Sequence, residues 1–282
     1  MIRTDITQIA AMPWMLWRRQ VAAILRLELK KSLFSKRAWW IYILTLGPVL
    51  ITSLHSLFVG HSSEHTLAQD TMMYAGIFQV YYLRLGIFFG CVGIFSNLFR
   101  AEMLERTMHY YFMSPVRRDV LAVSKYLAGL IAALVFFCGS AVLSYLFICI
   151  HWGPVFQQYL LHGPGLAQLG SYALTAALAC VGYGAVFLLT GVVYRNPMIP
   201  AAVVMIWENL NPFLPSLLKK LSIIFYLKSL CPVEIPGDLP LLAVLTEPTP
   251  AWLAIPGLLI VSALVLAYAA VKARKLEVSY SE

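Results

Sequence analysis

Two sets of residues in this 282-residue chain have types and spacing that suggest chemistry. His61-Ser62-Ser63-Glu64-His65 fits the H-x-x-E-H pattern, in which two histidines on one helical face hold zinc and the glutamate activates water. These five residues follow Gly60 in a short polar stretch between two long apolar runs, with no soluble domain beside them to furnish a further ligand. They are read as an accidental polar loop, and no metal site is expected. The second set is Arg84 and Glu208, opposite charges that each lie about ten residues inside an apolar run, with Asn209 and Asn211 beside the glutamate. At 1.5 Å per residue each lies about 15 Å deep, near the middle of a bilayer core of about 30 Å. Charges there are costly and face a bundle interior or a pathway, so a polar constriction or substrate contact stands beside a structural ion pair as a reading. No G-x-x-x-x-G-K-[ST] occurs, so the phosphate cradle of a nucleotide site is not encoded and any ATP use falls to a partner. The remaining histidines, His55, His109, His151 and His162, are scattered and read as structural.

The elements that must position these residues follow from composition. Hydrophobic residues make up 60% of the chain and charged ones 12%, with a mean hydropathy of +0.77, against about 25% charged residues in a soluble domain. A soluble fold and a disordered chain are both excluded. Runs of about 20 apolar residues cross a bilayer, and six occur: Ala38 to Val59, Tyr74 to Phe99, Val120 to Ile150, Leu166 to Tyr194, Met198 to Leu218 and Ala251 to Val271. Backbone groups in lipid must be satisfied internally, so all six are predicted helices. The expected fold is an all-α polytopic membrane protein with a single transmembrane domain over 1–282: an interfacial segment 1–37, a six-helix core 38–271 and a tail 272–282. The five cysteines form no C-x-x-C pair and read as small apolar residues.

Orientation follows from the basic residues in short connections. Residues 1–37 carry eight Lys and Arg, and Arg100, Arg106, Arg117 and Arg118 lie between runs two and three. Arg195 marks the turn between runs four and five, and Lys272, Arg274 and Lys275 follow run six; the stretches 60–73 and 151–165 carry none. Both termini are therefore expected in the cytoplasm. The segment 219–250 opposes the rule with Lys219, Lys220 and Lys228, and with its five prolines reads as short helices in the outer leaflet. Near the start, Trp17, Val21, Leu25, Leu29 and Leu33 recur every four positions with Arg19, Arg26 and Lys30 elsewhere, the pattern of an amphipathic helix at the membrane interface.

The connection between runs two and three is the most informative stretch. Glu102, Glu105, Arg106, Thr107, His109, Tyr110, Tyr111 and Phe112 lie in a charged, aromatic rod predicted over Glu102 to Met113. Ser114-Pro115 breaks it, since the residue before proline disfavours helix. Arg117 and Arg118 follow, then Ser124-Lys125 where the chain re-enters the membrane. Such a rod suits docking of another protein.

On these residues the chain resembles the membrane subunits of type-2 ABC transporters. Their corresponding loop shows an acidic residue, a Gly-Thr-Leu-Glu-like stretch, a Thr-Pro break, a basic residue and a Gly-Lys opening the third span. Here Glu102 or Glu105, Thr107, Ser114-Pro115, Arg117 or Arg118, and Ser124-Lys125 stand in those places, with Arg106 where Gly is usual and His109 where an acid is usual. The resemblance implies a permease subunit of an ATP-driven exporter in the cell (inner) membrane, with residues 102–113 as the coupling helix. It implies two copies of an ABC ATPase subunit that carry ATP and Mg, a second permease copy or paralogue, and surrounding membrane lipid. It also implies that Arg84, Glu208, Asn209 and Asn211 line the translocation path, that the chain itself is not an enzyme and binds no cofactor, and that no nucleic acid is involved. Three other classes stay open: a secondary transporter using the Arg84 and Glu208 pair, a membrane-embedded enzyme, and a membrane anchor for a multiprotein complex.

Overall fold

The computed structural model describes residues 14–34, 39–59, 66–105, 107, 113, 118–233 and 249–274. The His61 to His65 motif lies outside the described residues, as does most of the proline-rich stretch, 234–248. The described elements are helical: α1 (Trp14–Phe34), α2 (Trp39–Val59), α3 (Leu67–Gly76), α4 (Ile87–Leu104), α5 (Arg118–Ala133), α6 (Gly139–Cys149), α7 (Pro154–His162), α8 (Gly165–Val193), α9 (Met198–Leu210), α10 (Ser216–Lys219), α11 (Ile223–Ser229) and α12 (Ala251–Arg274). A π-helical stretch, Ile77–Gly86, joins α3 to α4, and a shorter one, Leu134–Cys138, joins α5 to α6.

Among the described residues, five continuous stretches are long and apolar enough to cross a membrane: Trp39–Phe58, Leu67–Leu104, Val120–Trp152, Gly165–Val193 and Ala251–Arg274. They correspond to five of the six expected runs, and the chain is a multi-pass membrane protein. The fifth run, expected over Met198 to Leu218, is helical only to Leu210, where Asn211-Pro212 passes into a 3-10 turn and Pro215 into the short α10. Proline removes a backbone donor and clashes with the preceding turn, which is why hydropathy continues through this stretch and the helix does not. Sequence also determines where the second span begins: Thr66 accepts from the Gln69 amide while Gln69 Oε1 accepts from the Thr66 amide at 2.9 Å.

The core is aromatic and forms around α4 and α8. Gly191 lets α8 lie directly on the α4 backbone, because a Cβ there would come within 2.6 Å of Ser96 O. Gly184 leaves room for the Phe95 ring, and Gly90 leaves room for Phe137 of the third span. Gly86, four residues from Gly90, meets only Tyr81 of its own span. In span four Thr175 is buried, and it and Ser171 both bond back to their own helix, Thr175 Oγ1 to Ser171 O at 2.7 Å and Ser171 Oγ to Ala167 O at 2.9 Å. The first π-stretch meets α6, where the Tyr82 hydroxyl stands 2.6 Å from Ser140 Oγ and 2.8 Å from Ser144 Oγ. Ser140 in turn donates to Thr45 O of the first span. Tyr81, Tyr82, Phe88 and Phe89 pack against this core, and Tyr82 and Phe88 are buried.

Candidate functional site

One end of the bundle carries a buried ion network built from three helices. Lys125 enters it from the first turns of α5 and is wholly buried. Its Nζ lies 2.8 Å from Glu28 Oε1 of α1 and 2.9 Å from Glu102 Oε2 of α4, and donates to Leu98 O at 2.8 Å. Lys31, half exposed, reaches Glu102 Oε1 at 3.1 Å and closes the network on its wet side. Two acids and two bases balance, which is what makes so deep a burial of charge tolerable. For Glu28, burial alone raises the carboxyl pKa, but the Lys125 ammonium and its hydrogen bond, with Lys31 beyond, outweigh it and hold the group below the usual carboxylate range.

This arrangement revises the reading of two elements. Glu102 is the last buried turn of α4 rather than the start of a separate rod: the helix runs to Leu104, and the Thr107 amide still donates to Glu102 O at 2.9 Å. A buried helix end must satisfy its final carbonyls, and Thr107 does this here. The amphipathic helix α1 does more than rest at an interface, because it packs along α5 and presents Glu28 to the base of the connection 105–117. Both ends of that connection are thereby fixed to α1, and Arg118 adds a bond from its Nη1 to Arg274 O of α12 at 2.9 Å. Glu105 closes α4 and is exposed. The remaining expected docking residues, Arg106, His109, Tyr110, Tyr111, Phe112, Ser114, Pro115 and Arg117, lie outside the described residues.

The second candidate region is the broken span. α9 rises along α8 as far as Glu208, the chain makes an excursion through residues 209–221, and α11 resumes at the same level. Glu208 joins the two halves: its carboxylate accepts from Ser222 Oγ at 2.6 Å and from the amides of Ile223 and Ile224 at 3.0 and 2.9 Å. Free N–H groups at a helix start attract a carboxylate, and within lipid no water competes for them. Tyr183 of α8 lies against the same carboxylate and within electrostatic reach of Arg84 in the π-stretch. Asn211 is buried and its Nδ2 donates to Lys219 O at 3.3 Å. Asn209 is apart from this group, exposed and bonded to Met205 O of its own helix at 2.8 Å. The segment expected as short helices resting in or dipping into the outer leaflet includes α11, which packs on the span helices. α11 runs beside α8, with Ile223 opposite Gly182 and Leu230 O near Thr175, and Gln79 of the second span donates to Val233 O at 2.8 Å.

At the opposite end of the bundle, two of the scattered histidines meet a buried acid. Asp70 takes a hydrogen bond from Trp152 Nε1 at 2.8 Å and lies 3.2 Å from His55 Nε2 and 3.3 Å from His151 Nε2, while Ser56 Oγ stands 3.3 Å from His151 Nδ1. These contacts tie the first three spans together. No sequence pattern announces them, since the partners come from three separate elements. Among the described residues no group of three His, Cys, Asp or Glu side chains is placed to hold a metal ion. The ion network did leave a trace in sequence: Glu28 is the single acid in α1 among five basic residues.

Residues 24–211, two thirds of the chain, match the family described as ABC-2 family transporter protein. The match takes in the ion network, both π-stretches and α9 as far as the break. No curated protein matches the chain.

Proposed function

The chain belongs to the ABC-2 transporter family, and from that premise we propose that it is the membrane permease subunit of an ATP-driven exporter. It would work with two copies of a separate ATPase subunit that bind ATP and Mg, and with a second permease copy or paralogue. The observation that carries this reading is the Glu28, Lys31, Glu102 and Lys125 network. The connection 105–117 leaves the membrane between two points that are locked to each other and to α1. A push on that connection is therefore delivered to the ends of the second and third spans together, which is what an ATPase acting on a coupling helix requires. In this reading the network faces the cytoplasm of a cell (inner) membrane, both termini lie there, and residues 105–113 make the docking contact. Arg84, Glu208 and Asn211 mark the polar level of the path. Glu208 acts there by holding the two halves of the broken span, since both its oxygens are engaged by Ser222 and the start of α11.

Affinity purification of the full chain from its native membrane in mild detergent tests the proposal. The expected result is co-purification of a stoichiometric ATPase with vanadate-sensitive ATP hydrolysis, lost when residues 105–117 are replaced by a Gly-Ser linker. Purification without any ATPase, with transport driven by an ion gradient, overturns it in favour of a secondary transporter.

A further inference from the structure

Helix α1 has one face committed and one face uncovered. Ile24 and Glu28 are buried against the bundle. Diametrically opposite, Arg19, Arg26 and Lys30 fall at spacings of seven and four residues, within about 40° of arc at 100° per residue. All three are exposed, and among the described residues none makes an ion pair or hydrogen bond. The ion network does not use them.

The stripe runs beside apolar relief. An open groove of about 840 Å³ is lined by these three cations with Ala22, Leu27 and Phe34. On the other flank a groove of about 910 Å³ lies between Trp17, Leu25 and Leu29 of α1 and Val120 and Val123 of α5. The small side chains Ala22 and Ala23 leave space beside the cations, and Met15, Leu27 and Phe34 are bare at 73, 47 and 80% exposure. The height of this surface relative to the bilayer is constrained twice. Glu28 is pinned to Lys125 at the membrane end of α5, and Phe34 is five residues from the start of the first span, no more than about 18 Å along an extended chain. Cations flanked by uncovered apolar grooves, held at headgroup level, match a molecule with an anionic head and acyl tails.

We propose that α1 is a binding site for anionic phospholipid, with the phosphate on Arg19, Arg26 and Lys30 and acyl chains in the flanking grooves. Charge complementarity decides the class of occupant: the exposed face holds three cations and no acid, so a zwitterionic lipid satisfies the grooves and leaves the stripe uncompensated. Because the same helix carries Glu28 into the ion network, the bound lipid braces the base of the connection 105–117.

Native mass spectrometry of the full chain in mild detergent with equimolar phosphatidylglycerol and phosphatidylcholine tests the site. Wild-type protein is expected to retain phosphatidylglycerol preferentially. R19Q/R26Q/K30Q is expected to lose that affinity by on the order of a hundredfold, and R19K/R26K to keep most of it, since the interaction is with charge near an anionic surface. Should the triple variant not fold, R26Q alone, with an expected loss of about fivefold, carries the same test. Equal retention of the two lipids by the wild type overturns the proposal. So does undiminished phosphatidylglycerol retention by the triple variant, including the case in which that variant instead loses a co-purifying protein.

Discussion

Lys125 and Glu28, 97 positions apart, meet at 2.8 Å with the lysine wholly buried. Removing one partner of a buried ion pair leaves an uncompensated charge and costs about 3–5 kcal/mol. Lys125→Met is therefore expected to lower the thermal midpoint in detergent sharply, because Glu28 and Glu102 are then left facing each other with only half-exposed Lys31 between them. E28Q/E102Q/K125M removes the whole buried set and should recover most of that loss. A triple variant as unstable as K125M would show that the network is not the cause.

The same carboxylate gives stability a pH dependence of known sign. The Glu28 pKa is lower in the fold than in the unfolded chain, despite burial, because of Lys125 and then Lys31. A depressed carboxylate contributes stability that is complete above its unfolded pKa of about 4.3 and is lost as pH falls through the folded value. The midpoint of the wild type should fall below pH about 4 more steeply than that of Glu28→Gln, whose amide does not titrate. Parallel curves for the two proteins would exclude Glu28 as the titrating group.

Glu208 tests whether the midplane charges act on each other or on the backbone. Its oxygens take Ser222 Oγ and the amides of Ile223 and Ile224. Glu208→Ala leaves those two amides without acceptors inside lipid, at about 1–3 kcal/mol each, and should destabilise the chain. Glu208→Gln keeps one acceptor oxygen and should lose less. Adding Arg84→Gln is expected to leave the E208A defect in the midpoint unchanged. Restoration by R84Q would show that the arginine, and not the start of α11, is the partner that matters.

These residues also show what sequence carries and where it stops. Apolar run length located five spans because helices in lipid must satisfy their own backbone, a condition local to each run. The fifth run is not one continuous helix for a reason that was also local and visible: Asn211-Pro212 and Pro215 interrupt it, but hydropathy averages over them. Counting residues led to the expectation that Arg84 and Glu208 share a level. Their surroundings were not legible, since Tyr183 and Ser222 enter from other stretches of chain. Asn209, one residue from Glu208, points elsewhere because a one-residue step turns a side chain by 100° on a helix. Asp70 with His55 and His151 was invisible for the same reason, as tertiary pairing of three elements leaves no spacing to read.

At Gly191 the backbones of α8 and α4 approach each other closely. A methyl group at Gly191 would come within 2.6 Å of Ser96 O and 2.8 Å of Ser96 Cα. Both are backbone atoms of a packed helix and cannot step aside, so Gly191→Ala must push α8 away from α4, and the Ser96 Oγ bond to Phe187 O at 3.3 Å goes with it. Overpacking of this kind costs about 1–3 kcal/mol. Gly170, on the same helix, has nothing within 4 Å of its added Cβ, and alanine there replaces a residue that is unfavourable within a helix by up to about 1 kcal/mol. Gly170→Ala should thus hold or raise the thermal midpoint while Gly191→Ala lowers it. Equal effects at the two positions would mean that α8 and α4 do not pack through Gly191 and Ser96.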